Sequence, residues 1–140
     1  MTILLDTNII LDALQERQPF DTAAKELLIR AQGGEFSCCF TANAATDIFY
    51  LFSKARDVDS ARKALSFLFT KLNVLPISHA DCIKALYLPI SDFEDALVAV
   101  CAENQGVDYI VTRDEGFLSS QSAVPLITAD ELIEKLTAIT

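Results

Sequence analysis

The sequence predicts an α/β fold, a three-layer α/β/α sandwich around a parallel sheet, and two observations carry that prediction. Five short apolar segments alternate with longer stretches of helical character, and this alternation places successive strands parallel, with helices on both faces of the sheet. The first of these segments, Ile3-Leu4-Leu5, puts three large aliphatic residues in a row without polar alternation. That pattern marks a strand buried on both faces.

Taken in order, the first strand runs through Asp6-Thr7 into a short helix over residues 8–16 that breaks before Pro19. Either Asp6 or Asn8 can cap it. A second helix covers 21–32 and stops at Gly33-Gly34. Residues 36–40 form the second strand; Thr41 or Asn43 opens a helix to about 56, and Asp57 or Asp59 caps another to about 72. The third strand, 73–77, contains Pro76, which cannot donate to a ladder and places this strand near an edge. Ser78-x-x-Asp81 and Ser91-x-x-Glu94 have capping-box form and start the next two helices. Strands over 108–112 and 124–127 follow, and Thr128-x-x-Glu131 caps the last helix.

One domain spanning residues 1–140 is expected, since this length suffices to bury about two thirds of the unfolded surface. The longest apolar run, 96–102, is far too short for a membrane span, and the N-terminus lacks the basic region of a signal peptide, so a cytosolic protein is expected. Cys38, Cys39, Cys82 and Cys101 show no C-x-x-C spacing and the single His79 has no ligand partner at zinc spacing, so the cysteines read as reduced core residues. Eleven basic against twenty acidic residues give a net charge of −9. That argues against a surface built for non-specific nucleic-acid binding, but not against a nucleic-acid enzyme whose acidic site is neutralised by cations.

The acidic residues are not all ordinary surface charge. Asp6 follows a buried strand, at the carboxyl edge where open α/β sheets bind ligands. Asp114 lies two residues beyond Thr112, just past a strand as apolar as the first. Asp95 lies one place beyond what a helix cap requires, on the side of its helix with the small residues Ala99 and Ala102, opposite an apolar face of Phe93, Ala96, Leu97, Val100 and Cys101. Asp47 interrupts an apolar run over 44–52. Asp92 and Glu94 are accounted for by the favourable field of a helix N-terminus. At about 5 Å and an effective dielectric near 20, each pair of carboxylates repels by roughly 3 kcal/mol. Four together require protons or a divalent cation, and an oxygen-only donor set suits Mg²⁺ or Mn²⁺. Such an ion acidifies water and stabilises charge on a phosphodiester under attack.

The stretches Leu4-Leu5-Asp6-Thr7-Asn8, residues 41–50 with Asp47, Asp92-Phe93-Glu94-Asp95-Ala96-Leu97 and Tyr109-Ile110-Val111-Thr112-Arg113-Asp114 resemble, in that order, the PIN-domain ribonucleases, VapC-like toxins among them. The resemblance runs through the whole chain. It implies a five-stranded parallel sheet, Mg²⁺- or Mn²⁺-dependent cleavage of RNA, and commonly the toxin role of a toxin–antitoxin pair. It also implies that Asp6, Asp95 and Asp114 are acidic-site residues, that Thr112 supports them through its hydroxyl, that Asn8 stands beside them, and that Asp92 is either a second metal contact or a helix cap. The family's second acidic position is more often Glu, whereas the matching residue here is Asp47, whose shorter arm either shifts the metal or holds a water.

An inactive binding or regulatory module of the same fold is the alternative; its signature, loss of Asp6, Asp95 or Asp114, is not present. A receiver-type phosphoacceptor would need an Asp after the third strand, and a haloacid dehalogenase a second Asp where Asn8 stands. With so acidic a chain, RNA must be held by bridging metal and a few basic groups; Arg113, then Lys54 and Arg56, are best placed by sequence, and few phosphate contacts mean a shallow salt dependence. The same negative crevice suits a basic segment of an antitoxin protein. Phe49, Tyr50, Phe67, Leu68 and Phe69 exceed what one face of each helix can hide, which suggests a homodimer.

Overall fold

A computed structural model describes residues 1–139. Its sheet has five parallel strands, β1 (Thr2–Leu5), β2 (Ser37–Thr41), β3 (Asn73–Leu75), β4 (Tyr109–Val111) and β5 (Leu126–Ile127), in the order β3-β2-β1-β4-β5. The helices are α1 (Thr7–Leu14), α2 (Asp21–Gln32), α3 (Ala42–Ala55), α4 (Val58–Lys71), α5 (His79–Leu86), α6 (Phe93–Asn104), α7 (Glu115–Leu118) and α8 (Ala129–Ile139). The expected α/β/α sandwich with a five-stranded parallel sheet is what forms.

Strand β1 divides the layers because its side chains alternate between faces. Ile3 and Leu5 join a core with residues of α1 to α4 and α8, whereas Leu4 joins a second core dominated by α6. Residues 96–102 are all buried, so α6 is apolar all round rather than on one face, while Phe93 is exposed. Such a helix must be covered on every side, here by the sheet, α5 and α7.

The strand order fixes where chemistry can occur. From β1 the chain builds outward through β2 to β3, then returns to the other side of β1 with β4 and β5. This reversal leaves a crevice at the carboxyl ends of β1 and β4, where Asp6 N–H donates to the Val111 carbonyl at 2.9 Å.

Several boundaries differ from expectation for identifiable reasons. Strand β3 stops at Leu75 because Pro76 ends the ladder, and it lies at the sheet edge as expected. The helix expected to start in a Ser91 box starts instead at Phe93, capped by Asp92, whose Oδ1 accepts from the Asp95 N–H at 3.0 Å. Asp57 rather than Asp59 caps α4. The box at Ser78 forms as read, and Thr128 caps α8, its Oγ1 accepting from the Glu131 N–H at 3.2 Å and donating to Glu131 Oε1 at 2.9 Å. Helix α7 has no counterpart in the sequence reading; four residues are too few to show periodicity. Cys38, Cys39 and Cys101 are buried free thiols, the first two pushed up to about 12 by burial.

Gly34 follows the C-terminus of α2 with φ +84° and lets the Glu35 N–H reach the Arg30 carbonyl at 3.2 Å. Replacing it with Ala should lower unfolding stability by about 1 kcal/mol in urea titration. Gly33→Ala, at φ −74°, should change stability by much less in the same measurement.

Candidate active site

The site grows from helix starts. Asp6 ends β1 and caps α1, its Oδ1 accepting from the Thr7 N–H at 2.9 Å. Asp92 caps α6. Asp114 caps α7, its Oδ1 accepting from Gly116 N–H at 2.9 Å and Phe117 N–H at 3.3 Å. Three carboxylates thus sit at three helix N-termini, where unpaired N–H groups and the peptide dipoles favour negative charge. Asp95 lies in the first turn of α6 beside them. Capping and a place in the carboxylate cluster, set against each other for Asp6 and Asp92 by sequence, coincide in the structure.

Thr112 links the strands. Wholly buried, it donates through Oγ1 to Asp6 Oδ2 at 2.8 Å and accepts from the Asp114 N–H at 3.2 Å. Asn8 Nδ2 stands 3.4 Å from both Asp6 Oδ2 and Thr112 Oγ1, while its buried Oδ1 has no partner among the described residues. Asp92, Asp95 and Asp114 line a cleft of about 200 Å³ with Ile90, Ser91, Gly116 and Ser120.

Electrostatics follow from this crowding. Burial raises Asp6 above the usual carboxylate range; the bonds from Thr112 and Thr7 oppose the rise, and Asp114 and Asp92 add to it. Asp95 is pushed up to about 7, first by burial, then by Asp92, Asp6 and Asp114. Glu94 is also pushed up to about 7, chiefly through a hydrogen bond with Asp47, then by burial and by the charges of Asp47, Asp6 and Asp92. Asp47 therefore meets the cluster through Glu94, a residue that sequence reasoning assigned to a capping box and the helix field. A carboxyl-to-carboxyl contact between α3 and α6 is a tertiary fact with no signature in the spacing of either segment.

Two further corrections concern bases and acids. Arg113 does not stand free at the crevice: its Nε and Nη2 donate to Asp12 Oδ2 and Oδ1 at 2.7 and 2.9 Å, and its guanidinium carbon lies 4.0 Å from the Phe20 ring centre. Lys54 lies over the Tyr50 ring. Asp12 went unread, although a lone carboxylate in Ile9-Ile10-Leu11-Asp12-Ala13, four residues after Asn8, was the available signal.

Among the described residues no three acidic, His or Cys side chains converge on one point as a ready-made cage. The donor set nonetheless fits a hard divalent cation: every side chain is an oxygen donor, and Asp6 and Asp95 are raised by burial and then by neighbouring carboxylates, as Glu94 is by its carboxyl partner Asp47 and by burial.

Fold and site together define an α/β protein with a carboxylate cluster at the switch point of a five-stranded parallel sheet. The chain belongs to the PIN domain family, whose model matches residues 2–116. It is 26% identical over 141 residues to Ribonuclease VapC1 of Aquifex aeolicus, covering 95% of this chain and 94% of that protein. Its fold is similar to that of VapBC2 from Rickettsia felis bound to a promoter DNA fragment (TM-score 0.69, 19% identity, 91% of this chain and 98% of that chain). It is also similar to DNA-bound VapBC from Salmonella typhimurium (TM-score 0.71, 14% identity, 92% and 98%). A third likeness is to Mycobacterium tuberculosis VapC20, a sarcin-ricin loop cleaving toxin (TM-score 0.66, 14% identity, 82% and 92%).

The raised carboxyls give a sign for the pH dependence of stability. A carboxyl with a folded pKa near 7 and an unfolded value near 4 binds more protons when folded across that interval, so stability falls as pH rises from about 4 to about 7. Without divalent metal, the melting temperature should therefore be higher at pH 5 than at pH 8, and Asp95→Asn should flatten that dependence.

Proposed function

We propose that the protein is a Mg²⁺- or Mn²⁺-dependent endoribonuclease and the toxin of a toxin–antitoxin pair. The observation that carries this reading is the gathering of Asp6, Asp92, Asp95 and Asp114 at one strand edge, with burial and mutual charge raising Asp6 and Asp95. Similarity to Ribonuclease VapC1 supports RNA as the substrate.

Asp6, Asp95 and Asp114 would hold the metal, with Asp92 at the cleft wall. When bound, the ion would polarise the scissile phosphate and acidify water. The remaining work belongs to the chain's own groups. Thr112, Thr7 and Asn8 fix the Asp6 carboxylate. Glu94, with a pKa near 7 and a carboxyl partner in Asp47, can hold or release a proton at neutral pH, which suits general acid–base work beside a phosphodiester.

The partner reading rests on charge and apolar surface. A basic segment of an antitoxin would pair its Arg side chains with the acidic cleft. A homodimer would cover the apolar residues that α3 and α4 leave exposed, namely Tyr50, Leu51, Phe67 and Phe69. Light scattering at tens of micromolar should then report a dimer; a monomer would count against this use of the surface.

The central test incubates pure protein with structured and single-stranded RNA, with and without Mn²⁺, beside Asp6→Asn. Cleavage should need both the metal and Asp6, and the Asp6 variant should lose at least a hundredfold in rate, the scale of losing a key electrostatic group. Millimolar Mn²⁺ should also raise the melting temperature of the parent, more at pH 8 than at pH 5, because protons compete for the same oxygens. Absence of both effects would leave the inactive-module alternative.

A further inference from the structure

Helix α1 reaches the turn between β4 and α7 at two successive residues. Asn8 and Asp12 are four apart, hence on one helical face. Asn8 Nδ2 stands 3.4 Å from Thr112 Oγ1, and Asp12 takes both arms of the Arg113 fork at 2.7 and 2.9 Å. Arg113 is flanked by Thr112, which donates to Asp6, and by Asp114, which lines the cleft.

Asp12 is 0% exposed, within a helix whose residues 9–13 are all buried. Taking a carboxylate out of water is costly, and a well-packed apolar pair would join α1 to this turn without that cost. What a bidentate fork adds is a fixed distance and a fixed plane. Phe20 lies against the guanidinium, its ring centre 4.0 Å from the central carbon, and remains 44% exposed itself. The ring therefore packs against the guanidinium at the surface rather than in the core, and the Arg113 side chain keeps 34% of its own surface exposed.

We propose that the Asp12–Arg113 pair, with Phe20 against the guanidinium, is a positioning device for the acidic site: it holds the β4–α7 turn against α1 and so sets where the Asp114 carboxylate stands relative to Asp6. The kinetic consequence rests on the nuclease reading above; the geometric one does not. Arg113 acts through Asp114 and touches no substrate. A displaced Asp114 would impair turnover more than RNA binding, because Asp6 and Asp95 would still hold a bridging cation while misplacement of a reacting constellation by about 1 Å costs up to a hundredfold in rate.

The test uses Arg113→Lys, which keeps the charge but loses the fork, and Phe20→Leu, which keeps an apolar side chain but loses the ring. Steady-state RNA cleavage with Mn²⁺ is measured beside native-state hydrogen exchange of the Gly116 and Phe117 amides, the two that Asp114 holds. Arg113→Lys should lower kcat about tenfold with KM within about twofold, and speed exchange at those two amides about tenfold while the sheet amides stay protected. Phe20→Leu should shift both in the same direction by less. If kcat falls only as far as the folded fraction does, or if exchange at Gly116 and Phe117 matches the parent, the pair is merely structural and the proposal is overturned. Should Arg113→Lys unfold, Phe20→Leu decides by the same two readouts. If the parent itself does not cleave RNA, the nuclease reading fails, and exchange alone still decides the positioning role.

Discussion

Mutual repulsion among carboxylates is the constraint to which the rest of this structure answers. Asp6, Asp92, Asp95 and Asp114 act on one another's charge, and Glu94 adds a fifth carboxyl with Asp47 behind it. At an effective dielectric near 20 each close pair costs roughly 3 kcal/mol, so a domain with ordinary stability of about 5–15 kcal/mol cannot leave them uncompensated. The fold supplies compensation where it is available, by aiming the N-termini of α1, α6 and α7 at the cluster and making Asp6, Asp92 and Asp114 their caps. The sheet order makes this geometry possible, because reversal at β1 and β4 opens a crevice that helices on both faces can enter.

Much of this was readable before the structure. The unalternating Ile3-Leu4-Leu5 run specifies a central strand because both faces must be apolar, and it does lie between β2 and β4. Asp6, Thr112 and Asp114 could be placed together because all three follow strands that end on the same edge. Residues whose role depends on a distant side chain were beyond reach. Glu94 reads as a helix-start acid until α3 brings Asp47 against it, and Arg113 reads as a free cation until Asp12, 101 positions away, occupies it. Helix α7 escaped because a single turn has no period; its only trace is Asp114 as a cap and the wholly buried Phe117 three residues on.

The occupation of Arg113 sharpens how so acidic a chain can meet a polyanion. With a net charge of −9, long-range attraction is absent, and the cation nearest the cleft by sequence is already bound to a buried carboxylate. Under the proposed nuclease reading, phosphate recognition by this site would fall to bridging cations more heavily than sequence alone implied. A protein segment that brings its own Arg side chains meets no such obstacle, and negative potential in the cleft would steer it there.

The distribution of protons over the cluster follows from the same capping logic. Asp6 is half-buried, and it receives a backbone N–H from Thr7 and a hydroxyl from Thr112, both of which oppose its rise. Asp95 has no such opposing donor; burial and three neighbouring carboxylates act on it in one direction, to about 7. Glu94 reaches the same range because a carboxyl facing a carboxyl is satisfied only when one of the two holds a proton. The donors at the start of α1 thus hold Asp6 back from part of a rise that Asp95 and Glu94, just inside α6, undergo to about 7. That difference arises from which side chain begins a helix and which lie just inside one, since Asp6 stands at the start of α1 whereas Glu94 and Asp95 lie in the first turn of α6.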